Sequence, residues 1–149
     1  FAVAEMEDAS SQLGLQFLRL PARGPSDFLR AFQAATRARA EALFVLDDTA
    51  FTQQRGQILK LAATHSLPVV SVYKDFAEAG GLLAYGPNLP AAYRRAAYYA
   101  DRILRGAKPS DLPVEQPTQF DLVVNLKTAK ALSLTIPPSV LLSANHVIE

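Results

Sequence analysis

The sequence predicts an α/β fold with a Rossmann-like, mostly parallel sheet and helices on both faces. Helical and strand patterns alternate along the first 85 residues, which favours right-handed crossovers between parallel strands. Two continuous apolar runs, residues 42–46 and 67–73, are typical of strands buried on both faces of such a sheet. Residues 80–139 then form a long excursion, which indicates a chain that crosses between two lobes.

The individual elements follow from periodicity and from helix-end residues. Residues 2–13 read as a helix ending near Gly14, and residues 15–20 alternate as a strand does. Ser26 is a candidate N-cap for the next helix, which carries its apolar residues at helical spacing. The remaining predicted elements are a helix over 51–66, a turn over 74–81, a strand over 82–85, a helix over 90–105, a strand over 120–125 and a helix over 127–132.

Composition excludes several classes of function. The chain has 149 residues, 50% of them hydrophobic, and a net charge of +1, which gives no electrostatic argument for nucleic acid or an anionic membrane. Cysteine is absent, so disulfides, thiol catalysis and cysteine-ligated zinc are excluded. No dinucleotide fingerprint, P-loop or nucleophile elbow is present, and His65 and His146 lack neighbours at metal-ligand spacing. We therefore expect no enzyme activity, no cofactor and no metal.

Acidic and hydroxyl residues follow the first buried run. Asp47, Asp48 and Thr49 come at its end, and ligands of open parallel sheets bind beyond the carboxyl ends of the strands. Two interpretations remain open. Asp48 or Thr49 caps the helix that begins near Ala50, or a carboxylate here holds a ligand ammonium through charge-assisted hydrogen bonds.

Further candidates follow the next two strands and reach the same edge. Aromatic and polar groups from three successive strand ends are typical of a small-ligand pocket. For the tyrosines, packing in the core with the hydroxyl at the surface is an equal alternative. The predicted ligand-binding residues are Asp47, Asp48, Thr49, Tyr73, Asp75, Phe76, Tyr85, Gly86 and Asn88.

The helix over 90–105 has a basic face, with Asn88 as its candidate cap and Gly106 at its end. Its arginines are interleaved with Asp101 and have no second basic patch beside them. This pattern favours a solvated face over a nucleic-acid interface.

Long segments of the sequence resemble one family. The phrases EAGGLLAYGPNL, YRRAAYYADRILRGAKP and LPVEQPTQFDLVVNLKTAKAL, with the final VIE, resemble the C-terminal half of ABC transporter substrate-binding proteins related to tryptophan/tyrosine-binding lipoproteins. The resemblance covers essentially the whole chain. It implies a type I periplasmic-binding fold, in which two lobes are joined by three chain crossings and enclose a ligand.

On this resemblance, residues 1–84 form most of the C-terminal ligand-binding lobe, whose first strand is expected upstream of Phe1. Residues 85–112 cross over and supply a helix that would pack on an N-terminal lobe missing from this sequence, and residues 113–149 return. The apolar stripe of helix 90–106 would then be exposed and would favour a dimer. Ser133 stands where the family usually has glycine at a helix end.

The resemblance implies a solute-binding component of an ABC import system that captures an amino acid or aromatic-like ligand between its lobes. Its partners would be that ligand and an ABC permease. The protein would be periplasmic or membrane-anchored outside the cytoplasm as a lipoprotein, with its export signal outside this sequence. A ligand-sensing domain of a membrane signalling protein with the same fold is the alternative.

Overall fold

A computed structural model describes residues 2–149, which form eight helices and five strands. The helices are α1 Ala2–Gln12, α2 Pro25–Arg37, α3 Thr49–Gln53, α4 Arg55–Thr64, α5 Lys74–Glu78, α6 Leu89–Leu104, α7 Leu126–Ala131 and α8 Pro138–Ser143. The strands are β1 Leu43–Val45, β2 Val69–Ser71, β3 Leu83–Pro87, β4 Phe120–Asn125 and β5 His146–Ile148. A short 3₁₀ turn spans Pro109–Asp111.

The five strands form one sheet in the order β1-β2-β3-β4-β5. The pairs β1–β2, β2–β3 and β4–β5 are parallel, and β3–β4 is antiparallel. The antiparallel pair is the place where the chain leaves the sheet towards α6 and later returns, with Gly86 opposite Asp121. The predicted α/β fold with a mostly parallel sheet flanked by helices is therefore confirmed.

The main core lies between the first two strands and the helices packed against them. The continuous apolar runs place Val45 and Val69 in the sheet, and the helical spacing of apolar residues in α2 and α4 gives each helix one buried face. A smaller cluster joins Ala77 of α5 to Ala84 and Val123. The buried helical residues of the main core are Phe28, Phe32, Ala35, Ile58, Leu59, Ala62 and Phe76.

The prediction of a strand over residues 15–20 was wrong. This segment has no regular secondary structure and belongs to no ladder among the described residues. Leu20 packs on the core, whereas Leu15 and Leu18 are 62% and 43% exposed. Alternation of apolar and polar residues reports burial on one side, but a strand also needs a hydrogen-bonding neighbour, which the pattern does not reveal.

Several helix limits also differ from the prediction. α2 begins at Pro25 after Gly24, not after Ser26, because proline suits the first helical position. The helix predicted over 51–66 is two helices separated at Gln54. α7 ends at Ala131, before Ser133 with its positive φ, and not at the predicted stop of Pro137 and Pro138. Pro138 is instead the first residue of α8, and neither α8 nor β5 was predicted.

At three predicted helix ends, the backbone has the positive φ angle that a C-terminal cap requires. Gly14, Gly106 and Ser133 have φ angles of 68°, 99° and 56°, the left-handed conformation that terminates a helix. α6 begins at its predicted cap but has no buried residue, and its Tyr93 and Leu104 are 71% and 87% exposed. Among the helices of residues 2–149, none is both long and apolar enough to cross a membrane.

Candidate ligand-binding site

The carboxyl ends of β1, β2 and β3 meet at one edge of the sheet, where the structure has a cavity of about 140 Å³. Its walls come from the segment between β2 and α5, from the first turn of α5, from the end of β3 and the start of β4, from α3 and from the first turn of α6. The cavity is lined by Thr52, Val72, Tyr73, Lys74, Asp75, Gly86, Pro87, Leu89, Pro90 and Asp121. Of the nine predicted ligand-binding residues, Tyr73, Asp75 and Gly86 thus line one cavity.

Asp48 is the N-cap of α3. Its Oδ1 accepts a hydrogen bond from the backbone N–H of Ala50 at 2.7 Å, which satisfies a donor that the helix leaves unpaired. Its backbone carbonyl also accepts from the Thr52 hydroxyl at 3.1 Å. Thr49 is the exposed first residue of α3. The structure therefore shows the capping role of Asp48 directly and leaves its second carboxylate oxygen outside this interaction.

Asp47 interacts with Tyr73 across the ends of β1 and β2. Hydrogen bonding to the Asp47 carboxylate raises the pKa of Tyr73 to about 12, with further contributions from burial, from the negative charge of Asp47 and from Tyr93 of α6. A carboxylate beside a phenol stabilises the protonated phenol, because ionisation would place two negative charges side by side. The pair presents a hydroxyl and a carboxylate together at the sheet edge.

Replacing Asp47 by asparagine should return the pKa of Tyr73 towards 10, the value for an unperturbed tyrosine. Between pH 10 and about 12, Tyr73 keeps its proton in the native protein but has lost it in the unfolded chain. The contribution of Tyr73 to the free energy of unfolding should therefore be fully present below pH 10 and be lost as the pH rises to about 12. Asp47→Asn should flatten this fall. Ultraviolet titration of the tyrosines and urea denaturation between pH 9 and 12 test both effects, and an unchanged titration curve would refute the interaction.

Asp75 and Gly86 face the same cavity from different elements. Asp75 is exposed in the first turn of α5, and the neighbouring Lys74 pairs with Glu78 at 3.2 Å. Gly86 is buried, and a Cβ there would lie only 2.0 Å from the carbonyl oxygen of Val72. Asp75 thus offers a solvent-facing carboxylate, and Gly86 permits the close approach of two chain segments beneath it.

Phe76 and Tyr85 lie elsewhere. Phe76 is 1% exposed and belongs to the main core, so it supports the site from beneath and offers no surface to a ligand. Tyr85 is 57% exposed and stacks on Phe120, with ring centroids 5.7 Å apart, outside the lining of the cavity. Phe76 lies in α5, and Tyr85 lies in the middle of β3, which continues to Pro87 beyond its predicted end.

Both the oxygen and the nitrogen of the Asn88 side-chain amide form hydrogen bonds. Its Oδ1 accepts from the backbone N–H of Ala91 at 2.8 Å, which caps α6 as predicted. Its Nδ2 donates to both carboxylate oxygens of Asp121, at 3.1 and 2.9 Å. Asp121 was missed by sequence reasoning. The only signal was a carboxylate near the start of a predicted strand, and the register that brings it beside Gly86 is tertiary information.

The segment that returns from α6 is bound to that helix. Arg95 donates through Nε to Glu115 Oε2 at 2.6 Å and through Nη2 to the other oxygen, and this interaction lowers the pKa of Glu115. The Tyr99 hydroxyl donates to the carbonyl oxygen of Pro113 at 2.8 Å. We call α6 and residues 105–115, joined in this way, the α6 arm.

Within residues 2–149, no group of three or more histidine and acidic side chains is arranged to hold a metal ion. The polar side chains that line the cavity are two carboxylates, two hydroxyls and the Lys74 ammonium, which suit recognition of a small polar molecule by hydrogen bonds.

The fold resembles that of several solved structures. A conserved domain protein from Vibrio cholerae is 26% identical with a TM-score of 0.87, over 98% of this chain and 50% of that one. The ABC domain in complex with L-Trp from Streptococcus pneumoniae is 24% identical with a TM-score of 0.89, over 99% and 50%. A ligand-free, open substrate-binding protein with adhesive properties from Clostridium difficile is 21% identical with a TM-score of 0.68, over 99% and 48%.

These similarities define a domain of a substrate-binding protein fold, and the chain spans about half the length of the solved structures that it matches. The family model described as ABC transporter substrate binding protein matches residues 2–148. The chain belongs to this family, as its sequence resemblance implied. No curated protein sequence matches it.

Proposed function

We propose that this protein is the solute-binding component of an ABC import system and captures a small organic solute, an amino acid or an aromatic-like molecule, in a cleft between two lobes. The observation that carries the proposal is the cavity at the carboxyl edge of the sheet, which joins Tyr73 and Asp75 to the first turn of α6. Membership of the substrate-binding family supports it. The L-Trp in one structural neighbour supports the choice of an amino acid.

The size of the cavity supports a two-lobed arrangement. A volume of about 140 Å³ is below the roughly 300–1,000 Å³ of most small-molecule sites. The solved relatives are about twice as long as this chain, so a second lobe would supply the remaining walls. Residues 1–84 and 113–149 would form one lobe, while α6 within 85–112 would pack its exposed apolar side chains on the other.

We expect different roles for three of the four carboxylates at or near the cavity, Asp47, Asp48 and Asp75, while Asp121 pairs with Asn88. Asp47 and Asp75 are the candidates to hold a ligand ammonium, since charge-assisted hydrogen bonds are about twice as strong as neutral ones. The Tyr73 hydroxyl beside Asp47 would add a polar contact. Asp48 and Thr49, with one Asp48 oxygen committed to α3, would act mainly by holding the start of that helix at the cavity wall.

Binding of twenty amino acids to the protein expressed within its complete open reading frame tests the proposal. A ligand that binds only the native state must raise the melting temperature. For a solute that does so, Asp75→Asn should weaken the affinity about tenfold, because it removes a charge-assisted hydrogen bond. The affinity is measured by titration calorimetry.

Asp8→Asn, an exposed carboxylate in α1, is the matched control and should leave the affinity unchanged. If no member of the panel shifts the melting temperature of the unaltered protein, an amino-acid ligand is refuted. If a solute binds and Asp75→Asn binds it equally well, only the role of Asp75 is refuted.

The family membership also supports an extracytoplasmic location and an ABC permease as the membrane partner, which we include in the proposal. Anchoring as a lipoprotein and a dimer formed through α6 remain predictions. The exposed Tyr93 and Leu104 are the residues on which such a dimer would depend.

A further inference from the structure

A second concave surface lies at the opposite end of the sheet from the candidate ligand-binding cavity. It is a groove of about 380 Å³ between the end of α4 and the first residues of α7, and we call it the α4–α7 groove. Leu67 and Val69 at the start of β2 and Gly80 before β3 line it, whereas residues 72–73 and 86–87 at the other ends of these strands line the cavity. Its volume lies within the roughly 300–1,000 Å³ of most small-molecule sites.

The groove is open because the two helices that flank it pack on different partners. α4 packs mainly on α2 and α3, and α7 packs on β5. The residues of α4 that line the groove recur at helical spacing, and two of them, Ala62 and Ala63, have small side chains. The floor is formed by Leu59, Leu67 and Val69 of the main core, which are between 2% and 9% exposed. The groove therefore gives a ligand access to apolar side chains of the core.

The polar groups of the groove favour an anionic head group. Lys127 is the only charged residue that lines it, and within residues 2–149 no acidic residue forms a salt bridge with its ammonium. The Thr128 hydroxyl already donates to the carbonyl oxygen of Gly80 at 2.9 Å. Of the side chains that line the groove, Lys127 and Ser66 therefore remain as donors. A carboxylate can accept from both, and a hydrogen bond between charged groups is stronger than a neutral one.

We propose that the α4–α7 groove binds a small carboxylate with an apolar tail, the chemistry of a medium-chain fatty acid. The carboxylate lies at Lys127, and the tail lies on the apolar floor beside Ala63. A zwitterionic amino acid is disfavoured, because none of the described residues that line the groove has a carboxylate to hold an ammonium. The proposal does not depend on the proposed function, since the groove and the cavity share no lining residue.

Titration of octanoate into the protein expressed within its complete open reading frame, followed by NMR, tests the site. The amide signals of Ser66, Gly80 and Thr128 should shift to saturation with a dissociation constant of about 1 mM or lower. Hexanoate should bind about tenfold more weakly, because it has two fewer methylenes to bury. Octylammonium should also bind at least about tenfold more weakly, because Lys127 repels its charge. Absence of saturable shifts with octanoate up to about 10 mM would overturn the proposal.

Three variants locate the binding. Ala63→Leu fills part of the groove from an exposed position of α4, so it should keep the fold and weaken octanoate binding about tenfold. Lys127→Gln should weaken it about fivefold, the upper end for an exposed ion pair. Lys130→Gln is the matched control, because it removes an exposed ammonium of α7 outside the groove and should leave the affinity unchanged. Full affinity in Ala63→Leu, or equal losses in the two lysine variants, would overturn the site.

The C-terminus of a partner protein also joins a carboxylate to apolar groups, and acetyl-trileucine serves as its mimic. The small carboxylate that we propose predicts that this peptide binds no more tightly than octanoate. If the peptide instead binds about tenfold more tightly, and Ala63→Leu weakens that binding, the occupant is a protein C-terminus and the proposal is overturned.

Discussion

Gly86→Ala should destabilise the chain by about 3 kcal/mol, the upper end of the usual cost of forcing atoms into a filled space. The new Cβ would lie 2.0 Å from the Val72 carbonyl oxygen and 2.9 Å from its carbonyl carbon, both of them backbone atoms. Relief requires β2 and β3 to separate, and these strands carry part of the candidate site. Urea denaturation followed by circular dichroism measures the change in the free energy of unfolding.

Gly56→Ala is the matched control. Gly56 lies in α4, and a Cβ there has no atom within 4 Å. Alanine is favoured over glycine in a helix by up to about 1 kcal/mol, so this variant should be slightly more stable than the unaltered chain. If Gly86→Ala proved as stable as Gly56→Ala, the close contact between Gly86 and Val72 would be refuted.

Phe76→Ala should cost about 3–5 kcal/mol, because it opens a cavity at one of the largest fully buried side chains. Phe76 is 1% exposed and packs among the side chains of the main core. Small domains are stable by only about 5–15 kcal/mol, so this variant should lose a large share of its free energy of unfolding. The measurement is the free energy of unfolding from urea titrations.

Two further variants separate packing from ligand contact. Phe44→Ala removes the same side chain at a position that is 41% exposed and should cost much less. Phe76→Leu keeps most of the buried volume, so it should recover much of the stability and should bind solute as the unaltered protein does. A Phe76→Leu protein with full stability but weakened solute binding would show that Phe76 contacts the ligand after all.

The fold was predictable because its strands and helices leave direct traces in the sequence. The apolar runs at 42–46 and 67–73 contain β1 and β2, as predicted. Burial on both faces was wrong for β1, in which Phe44 is 41% exposed. α6 was predictable from its cap at Asn88 and its stop at Gly106. β5 was not, because three residues with one apolar contact on the smaller core are too short for a periodic pattern.

The candidate site was predictable only in outline. Strand ends are local features, so Asp47, Tyr73 and Asp75 could be expected at one edge of a parallel sheet. The face from which a side chain projects depends on where a strand begins and with which strand it pairs. A shift of one residue changes that face, and this is why Tyr85 of β3 was grouped with the others. Phe76 was grouped with them because the sequence did not show that it lies on the buried side of the short helix α5.

The sequence alone thus determined the α/β class, the family resemblance and the edge at which ligand-type residues gather, because these depend on periodicity, motifs and strand ends. Only the tertiary structure placed Asp121 against Asn88, buried Phe76 and left residues 15–20 without a strand partner. These features are contacts between residues distant in sequence. They depend on the register of β3 against β4 and on the packing of helices on the sheet, and no local pattern specifies either.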